Sequence, residues 1–302
     1  MNKIIYICFF VLAILIINGC IPDNSDELKE RERTLLAQYL RENNITVEPT
    51  ASGLYYLPIK EGVGEPPLVT DLVEFEYTGE LIDGTIFGTT DDSLANAMDI
   101  YSENIIYGPT RIFVGDAIAG LAEGFQLMKP GGEAKLIIPS DLAYGGNSFG
   151  VISRYSTLII TVELQMIIKD PVQYEEDLIR NFLLANGWEE TRAKESGLYY
   201  IEHVAGTGDF IEDGDQVKVY YKGYFLDGRV FDSNQGDETP YLFRVPGEFD
   251  FTGWNEGIIY MKKGSVGTLI LPPDLAYGQY GSNTIPPYMT LVFDMEIVDV
   301  IK

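Results

Sequence analysis

Apolar and polar residues alternate along several short stretches of the chain. Val217, Val219 and Tyr221 alternate with Lys218, Tyr220 and Lys222, and Val73, Phe75 and Tyr77 alternate with Glu74, Glu76 and Thr78. A period of two puts one set of side chains on one face, so both stretches are predicted to be half-buried strands. Leu291, Phe293, Met295 and Ile297 repeat the pattern late in the chain, as do Leu158, Ile160, Val162 and Leu164. Elsewhere the period lengthens. Leu35, Leu36, Tyr39 and Leu40 share the spacing of Leu178, Ile179, Phe182 and Leu183, which predicts two helices with one packing face each. Asn186-Gly187 is a stop signal for the second. Shorter helical stripes are Leu121, Phe125 and Met128 before Lys129-Pro130-Gly131, and Trp254, Ile258 and Met261 before Lys262-Lys263-Gly264. A strand is expected after each, over 134–138 and 268–271.

These elements occur twice in the same order. Ser52-Gly53-Leu54-Tyr55-Tyr56 returns as Ser196-Gly197-Leu198-Tyr199-Tyr200 at an offset of 144. Asp83-Gly84 and Phe87 return at the same offset as Asp227-Gly228 and Phe231, and Asp-Gly between two strands is a strong hairpin signal. Asp141 to Gly145 returns as Asp274 to Gly278 at an offset of 133, which places a net 11 extra residues in the first copy, mostly within 89–108. Strand runs with one short helix predict an antiparallel α+β module, its sheet folded over the helix, and each module is preceded by an extra helix.

The N-terminus adds a different feature. Met1-Asn2-Lys3 is a short basic start, and the 14 residues from Ile4 to Ile17 are almost unbroken apolar. That run is short for a bilayer span and suits a signal-peptide core, an uncleaved anchor helix being the other reading. It ends in Ile17-Asn18-Gly19-Cys20, which resembles the lipobox of bacterial lipoproteins; the resemblance implies acylation of Cys20 and cleavage before it. Of the two cysteines, Cys8 leaves with the signal, so the mature chain is expected to hold no disulfide. Residues 21–27 read as a flexible acidic tether. The expected division is a signal peptide over 1–19, tether and helix over 20–48, a first module over 49–169, a connecting helix over 170–195 and a second module over 196–302.

A net charge of −25 argues against nucleic acid as a partner and against adsorption to anionic lipid. The one histidine, His203, follows a Tyr-Tyr strand start and the mature chain has no free cysteine, which argues against Ser/His/Asp and Cys/His catalysis and leaves no Cys/His metal cluster. His203 is expected to be structural. The acidic run Asp209 to Asp215 lacks EF-hand spacing, so no metal and no cofactor is expected.

What remains is aromatic. Val219-Tyr220-Tyr221-Lys222-Gly223, Asp227 to Asp232, Pro240 to Phe243, Gly253-Trp254, Asp274 to Gly278, Ile285-Pro286-Pro287-Tyr288 and Thr290 to Phe293 stand in an order and spacing that resemble the FKBP-type peptidyl-prolyl cis-trans isomerases. The resemblance covers about 196–302. It implies a proline pocket between sheet and helix, with Trp254 as floor and Tyr221, Phe231, Tyr241, Phe243, Phe251 and Phe293 as walls. It further implies that Ile285 offers a backbone N–H and apolar contact, that Tyr277 donates its hydroxyl to the substrate carbonyl, and that Asp232 sets polarity beside Tyr221 as a buried carboxylate. The loop from Gly278 to Thr284 is one residue shorter than the common form. Expected substrates are proline-containing exported or unfolded polypeptides, in a cell envelope where Cys20 anchors the chain to the periplasmic face of an outer membrane or the cell surface. The alternative is a non-catalytic chaperone or assembly scaffold that holds extended chains in its grooves.

The first copy keeps Tyr77, Phe87, Gly120, Tyr144 and Ile152 but departs at the pocket. Gly88 stands for Asp232, Leu121 for Trp254, Thr110 for Tyr241, Ser153-Arg154 for Pro286-Pro287 and Ile160 for Phe293. Module 1 is therefore expected to fold alike and to isomerise poorly or not at all. For the 89–108 insertion two readings stay open: a short helix covering or extending the cleft, or a plain surface excursion.

Overall fold

The computed structural model describes residues 24–188, 195–247, 251–282 and 284–302. The expected signal peptide, Cys20 and the start of the tether lie outside the described residues. Helix α1 spans Ser25–Glu42. Module 1 follows as β1 (Tyr55–Lys60), β2 (Leu72–Leu81), β3 (Ile86–Thr89), α2 (Asp92–Ala97), β4 (Thr110–Phe113), α3 (Ala119–Leu127), β5 (Gly132–Ile138) and β6 (Leu158–Ile168). Helix α4 (Pro171–Ala185) leads to module 2: β7 (Tyr199–Val204), β8 (Thr207–Phe210), β9 (Gln216–Phe225), β10 (Val230–Ser233), β11 (Tyr241–Arg244), α5 (Thr252–Ile258), β12 (Lys262–Lys263), β13 (Val266–Leu271) and β14 (Leu291–Ile301).

Each module is a six-stranded antiparallel sheet over its short helix. The orders are β1-β5-β6-β2-β3 with β4 also on β2, and β10-β9-β14-β13-β7 with β11 also on β9. The alternation in β9 decides its faces: Val217, Val219 and Tyr221 point into the core. The Asp-Gly turns form as expected, because Gly84 at φ 85° and Gly228 at φ 91° occupy the left-handed region that glycine enters without a Cβ clash. Leu54, Val73, Leu136, Val162 and Leu164 are fully buried in module 1, as Val219, Trp254, Leu269, Leu271 and Ile297 are in module 2.

Three expectations need correction. Helix α1 starts at Ser25, so Ser25, Asp26 and Glu27 are helical, and acidic residues in a first turn suit the positive end of the helix dipole. Its stripe is only half covered, with Leu35 exposed. Helix α5 ends at Ile258, leaving Met261 in the core but beyond the helix, and Lys262-Lys263 pairs with Thr207–Phe210 as a two-stranded ribbon.

The two flanking helices attach by the same device. Glu32 on α1 accepts from Ser140 N (2.7 Å), Ser140 Oγ (2.6 Å) and Thr157 Oγ1 (2.9 Å). Glu175 on α4 holds the corresponding place and accepts from Thr290 N (3.0 Å) and Thr290 Oγ1 (2.6 Å). Thr157 and Thr290 each precede the last strand of a module. The α4 stripe is a packing face: Ile179 and Leu183 are buried against Tyr199, Ile270 and Val292 on the outer side of the second sheet. Each such side chain contributes roughly 1.5–3 kcal/mol.

Candidate active site

The site in module 2 starts from a glycine. Gly223 on β9 faces Phe293 on β14 and Asp232 on β10. A Cβ there would come within 2.6 Å of the Phe231 ring and 2.9 Å of the Phe293 ring. Its absence lets both rings close over the strand, and they meet edge to face at 5.5 Å. The register shift between Val230 and Asp232 is a bulge, which turns Phe231 into the cluster and aims Asp232 at the neighbouring tyrosine.

Trp254 enters from the first turn of α5 and is completely buried. Its ring lies 5.1 Å from Phe293, 5.3 Å from Tyr221 and 5.9 Å from Phe243, edge to face in all three. Phe251 stacks on Phe293 at 5.8 Å and meets Tyr277 at 5.3 Å. Tyr221, Phe231, Phe243, Phe251, Trp254, Tyr277, Ile285 and Phe293 thus share one apolar cluster.

Three expected features differ. Tyr241 packs on Phe243 at 5.7 Å and Tyr221 at 6.3 Å and is 40% exposed, so it stands at the outer edge of the aromatic cluster. Asp232 is exposed and not buried, because β10 is an edge strand. The Ile285 N–H already donates to Ser282 Oγ at 3.1 Å, so the buried apolar side chain is what Ile285 brings to the cluster.

The polar chemistry is concentrated at one point. The Tyr221 hydroxyl donates to Asp232 Oδ2 at 2.7 Å. Burial first, and the Asp232 carboxylate second, push the Tyr221 phenol well above the usual tyrosine range, so it stays a neutral donor at any ordinary pH. The sequence reading missed Asn234. This buried side chain accepts from Tyr221 N at 2.6 Å and donates to Val219 O at 2.9 Å, which fixes the strand behind Tyr221. A polar residue three places after an inward Phe was the available signal; Thr90 does the same for Tyr77 at 2.9 Å in module 1.

Strand register shows that the departures in module 1 fall on equivalent positions. Gly88 and Ile160 face Gly79, as Asp232 and Phe293 face Gly223. Thr110 faces Phe75, as Tyr241 faces Val219. The aromatic bulk has moved inward: Phe75 and Phe125, at the places of Val219 and Ile258, meet edge to face at 5.0 Å beneath Leu121. A Cβ on Gly88 would lie 2.9 Å from the Tyr77 hydroxyl, so Tyr77 takes space that a carboxylate at 88 would need.

Residues 64–165 and 208–298 both match the family described as FKBP-type peptidyl-prolyl cis-trans isomerase. The chain belongs to this family. It is similar to FkpA, an FKBP-type peptidyl-prolyl cis-trans isomerase of Escherichia coli K12, at 41% identity over 133 residues, 42% of this chain and 48% of that protein. It is also similar to human peptidyl-prolyl cis-trans isomerase FKBP9, at 27% identity over 234 residues, 76% of this chain and 35% of that protein. The crystal structure of Escherichia coli FkpA matches with 37% identity and a TM-score of 0.39, over 44% of this chain and 62% of that one. The chain spans about half the length of the curated FkpA proteins it matches.

Two titratable groups outside this cluster are held in hydrogen bonds of the scaffold. His203 Nε2 bonds Thr268 Oγ1 at 2.8 Å, and the Asp215 carboxylate takes the Glu212 N–H and the Lys302 ammonium. Among the described residues no group of three or more His, Cys, Asp or Glu could hold a metal ion.

Proposed function

We propose that module 2 is a peptidyl-prolyl cis-trans isomerase and that module 1 is catalytically silent. The observation that carries this reading is the Tyr221–Asp232 pair beside a fully buried Trp254 ringed by Phe231, Phe243, Phe251 and Phe293. Rotation about an X-Pro bond meets a barrier of roughly 18–20 kcal/mol, because twisting removes amide resonance. Water bonded to the amide favours the planar, charge-separated form; an apolar aromatic cleft removes that water. Trp254 and the surrounding phenylalanines hold the proline ring while the preceding carbonyl turns. A hydrogen bond from the Tyr277 hydroxyl that is strongest in the twisted geometry lowers the barrier further, each ~1.4 kcal/mol giving about tenfold in rate, while the Tyr221 hydroxyl stays committed to Asp232. No nucleophile and no acid–base pair is needed.

The substrates we infer are X-Pro segments of unfolded or newly exported polypeptides, met in a cell envelope where Cys20 carries a lipid anchor. A holding function has one feature in its favour: Met98, Ile100, Tyr101 and Ile105 in the insertion expose apolar surface. The test is proline-limited refolding of a client protein with the full chain and with Trp254→Leu plus Asp232→Gly. Acceleration that disappears in the double variant supports the isomerase. Acceleration that persists places catalysis elsewhere, and suppressed aggregation without acceleration favours the holding function.

A further inference from the structure

The insertion in module 1 does not close over its own module. None of its residues joins the apolar cluster of module 1, whereas Ile106 packs against the cluster of module 2. The neighbouring backbone is held there: Arg229 Nη1 donates to Tyr107 O at 3.0 Å and Pro109 O at 2.8 Å. Gly108, at φ 95°, permits this approach, since a Cβ would lie 3.0 Å from the Arg229 side chain. Arg229 is at the tip of the β9–β10 hairpin, two residues before Phe231.

A second contact reaches a different edge of the same site. Arg111 on β4 is buried and donates to Glu74 Oε2 (2.9 Å), Glu175 Oε1 (2.7 Å) and Tyr288 O (2.9 Å). Glu175 uses its other oxygen on Thr290, so one carboxylate ties module 1 to the start of β14. The repeat explains why this carboxylate is available. In module 1 the equivalent Glu32 spends its oxygens on Ser140 as well as Thr157. Pro273 replaces Ser140 in module 2 and has neither N–H nor hydroxyl, which frees Glu175 Oε1 for Arg111. Tyr288, held by Arg111 through its carbonyl, follows Ile285-Pro286-Pro287 and has a left-handed backbone (φ 53°) uncommon for a residue with a Cβ. Phe113, two residues beyond Arg111, meets the Tyr288 ring at 6.2 Å.

Neither arginine belongs to the repeat. Strand register puts the exposed Leu242 at the place of Arg111, and Thr85 holds the place of Arg229. Building on the isomerase reading of module 2, we propose that module 1 is a clamp in cis on that site: it holds the hairpin 225–233 through Arg229 and the loop 284–290 through Arg111, making both arginines positioning residues for proline isomerisation. Ordering two rim segments before substrate arrives removes an entropy cost from binding.

The test uses the full chain with Arg229→Met, and separately Arg111→Met combined with Glu175→Gln so that the buried Glu175 is not left as an unpaired charge. Isomerisation of a short Ala-Leu-Pro-Phe anilide peptide is expected to show KM raised about fivefold with kcat within about twofold, the pattern of lost rim binding and not of lost chemistry. Hydrogen exchange is expected to speed up about tenfold at 226–233 in the first variant and at 284–290 in the second, with β13 unchanged. Folded variants with unaltered KM and unaltered exchange would overturn the clamp. So would faster exchange throughout both sheets, which is a general structural effect. An unmodified chain without isomerase activity removes the reading of module 2 instead, and the exchange results then decide the clamp alone.

Discussion

Gly79 and Gly223 occupy the same place in the two sheets, and the residues facing them differ. Beside Gly223 stand Asp232 and Phe293; beside Gly79 stand Gly88 and Ile160. The glycine, the bulge and the inward phenylalanine are common to both modules, because they shape the hairpin and the core. The carboxylate, the second ring and the buried Trp occur in module 2 alone, and they are the residues that the proposed isomerase site uses. A repeat in which scaffold and site have separated shows which residues belong to each. Phe125 makes the same point from the other side: in module 1 the aromatic contact between helix and sheet falls one helical turn after Leu121, at Phe125 and Phe75, and keeps the core packed.

The comparison can be strained at several points. The largest effect is expected at the joint between the modules. Arg111 is buried with burial opposing its charge, yet Glu175 and Glu74 more than offset this and hold its pKa above the ordinary value. Arg111→Met leaves Glu175 buried and unpaired, at a cost of about 3–5 kcal/mol in urea unfolding, and Glu175→Gln in the same chain should restore most of it. Glu32→Gln in module 1, where no arginine is involved, should cost about 1–2 kcal/mol. Next is the floor. Trp254→Leu should lower kcat/KM at least about a hundredfold, or ~2.7 kcal/mol of transition-state stabilisation, whereas Leu121→Ala should leave it within about twofold.

A smaller difference is expected at high pH. Tyr221 is raised by burial and by Asp232, and Tyr77 by burial and by Tyr144. A raised phenol is protonated in the fold after it would ionise in the unfolded chain, so its contribution is complete below about pH 10 and is lost as pH rises through the folded pKa. Tyr200, pushed up to about 12 mainly by burial, acts in the same direction. The free energy of unfolding in urea should therefore fall from pH 9 to 11, and Tyr221→Phe should flatten that fall by about 1 kcal/mol, more than Tyr77→Phe does. The smallest effect is steric. Gly88→Ala must displace the Tyr77 hydroxyl and should cost about 1 kcal/mol without creating activity in module 1.

Much of the scaffold was legible because it obeys local rules. The alternation at Val217, Val219 and Tyr221 and the Asp-Gly turns are properties of neighbouring residues, and the order of aromatics in module 2 was specific enough to point to one cluster. The β8–β12 ribbon was not legible: Thr207–Phe210 is exposed throughout and has no alternation. The family resemblance implied a buried Asp232, but an edge strand leaves one side open. The joint between modules was out of reach for a further reason. Arg111 meets Glu175 across 64 positions and Tyr288 across 177, distances at which no periodicity pairs residues.

The central claim is that a proline peptide enters module 2 and not module 1. The chain has two tryptophans, Trp188 and Trp254, so the indole N–H region of a proton–nitrogen NMR spectrum carries one probe at the floor of the site and one on the opposite side of the sheet, near α4. Titration with an Ala-Leu-Pro-Phe peptide should shift the Trp254 indole and the amides of Phe231, Asp232 and Ile285, and leave Phe87, Gly88, Leu121 and Ile152 in place. Shifts at the module 1 residues with an unmoved Trp254 indole would contradict the account.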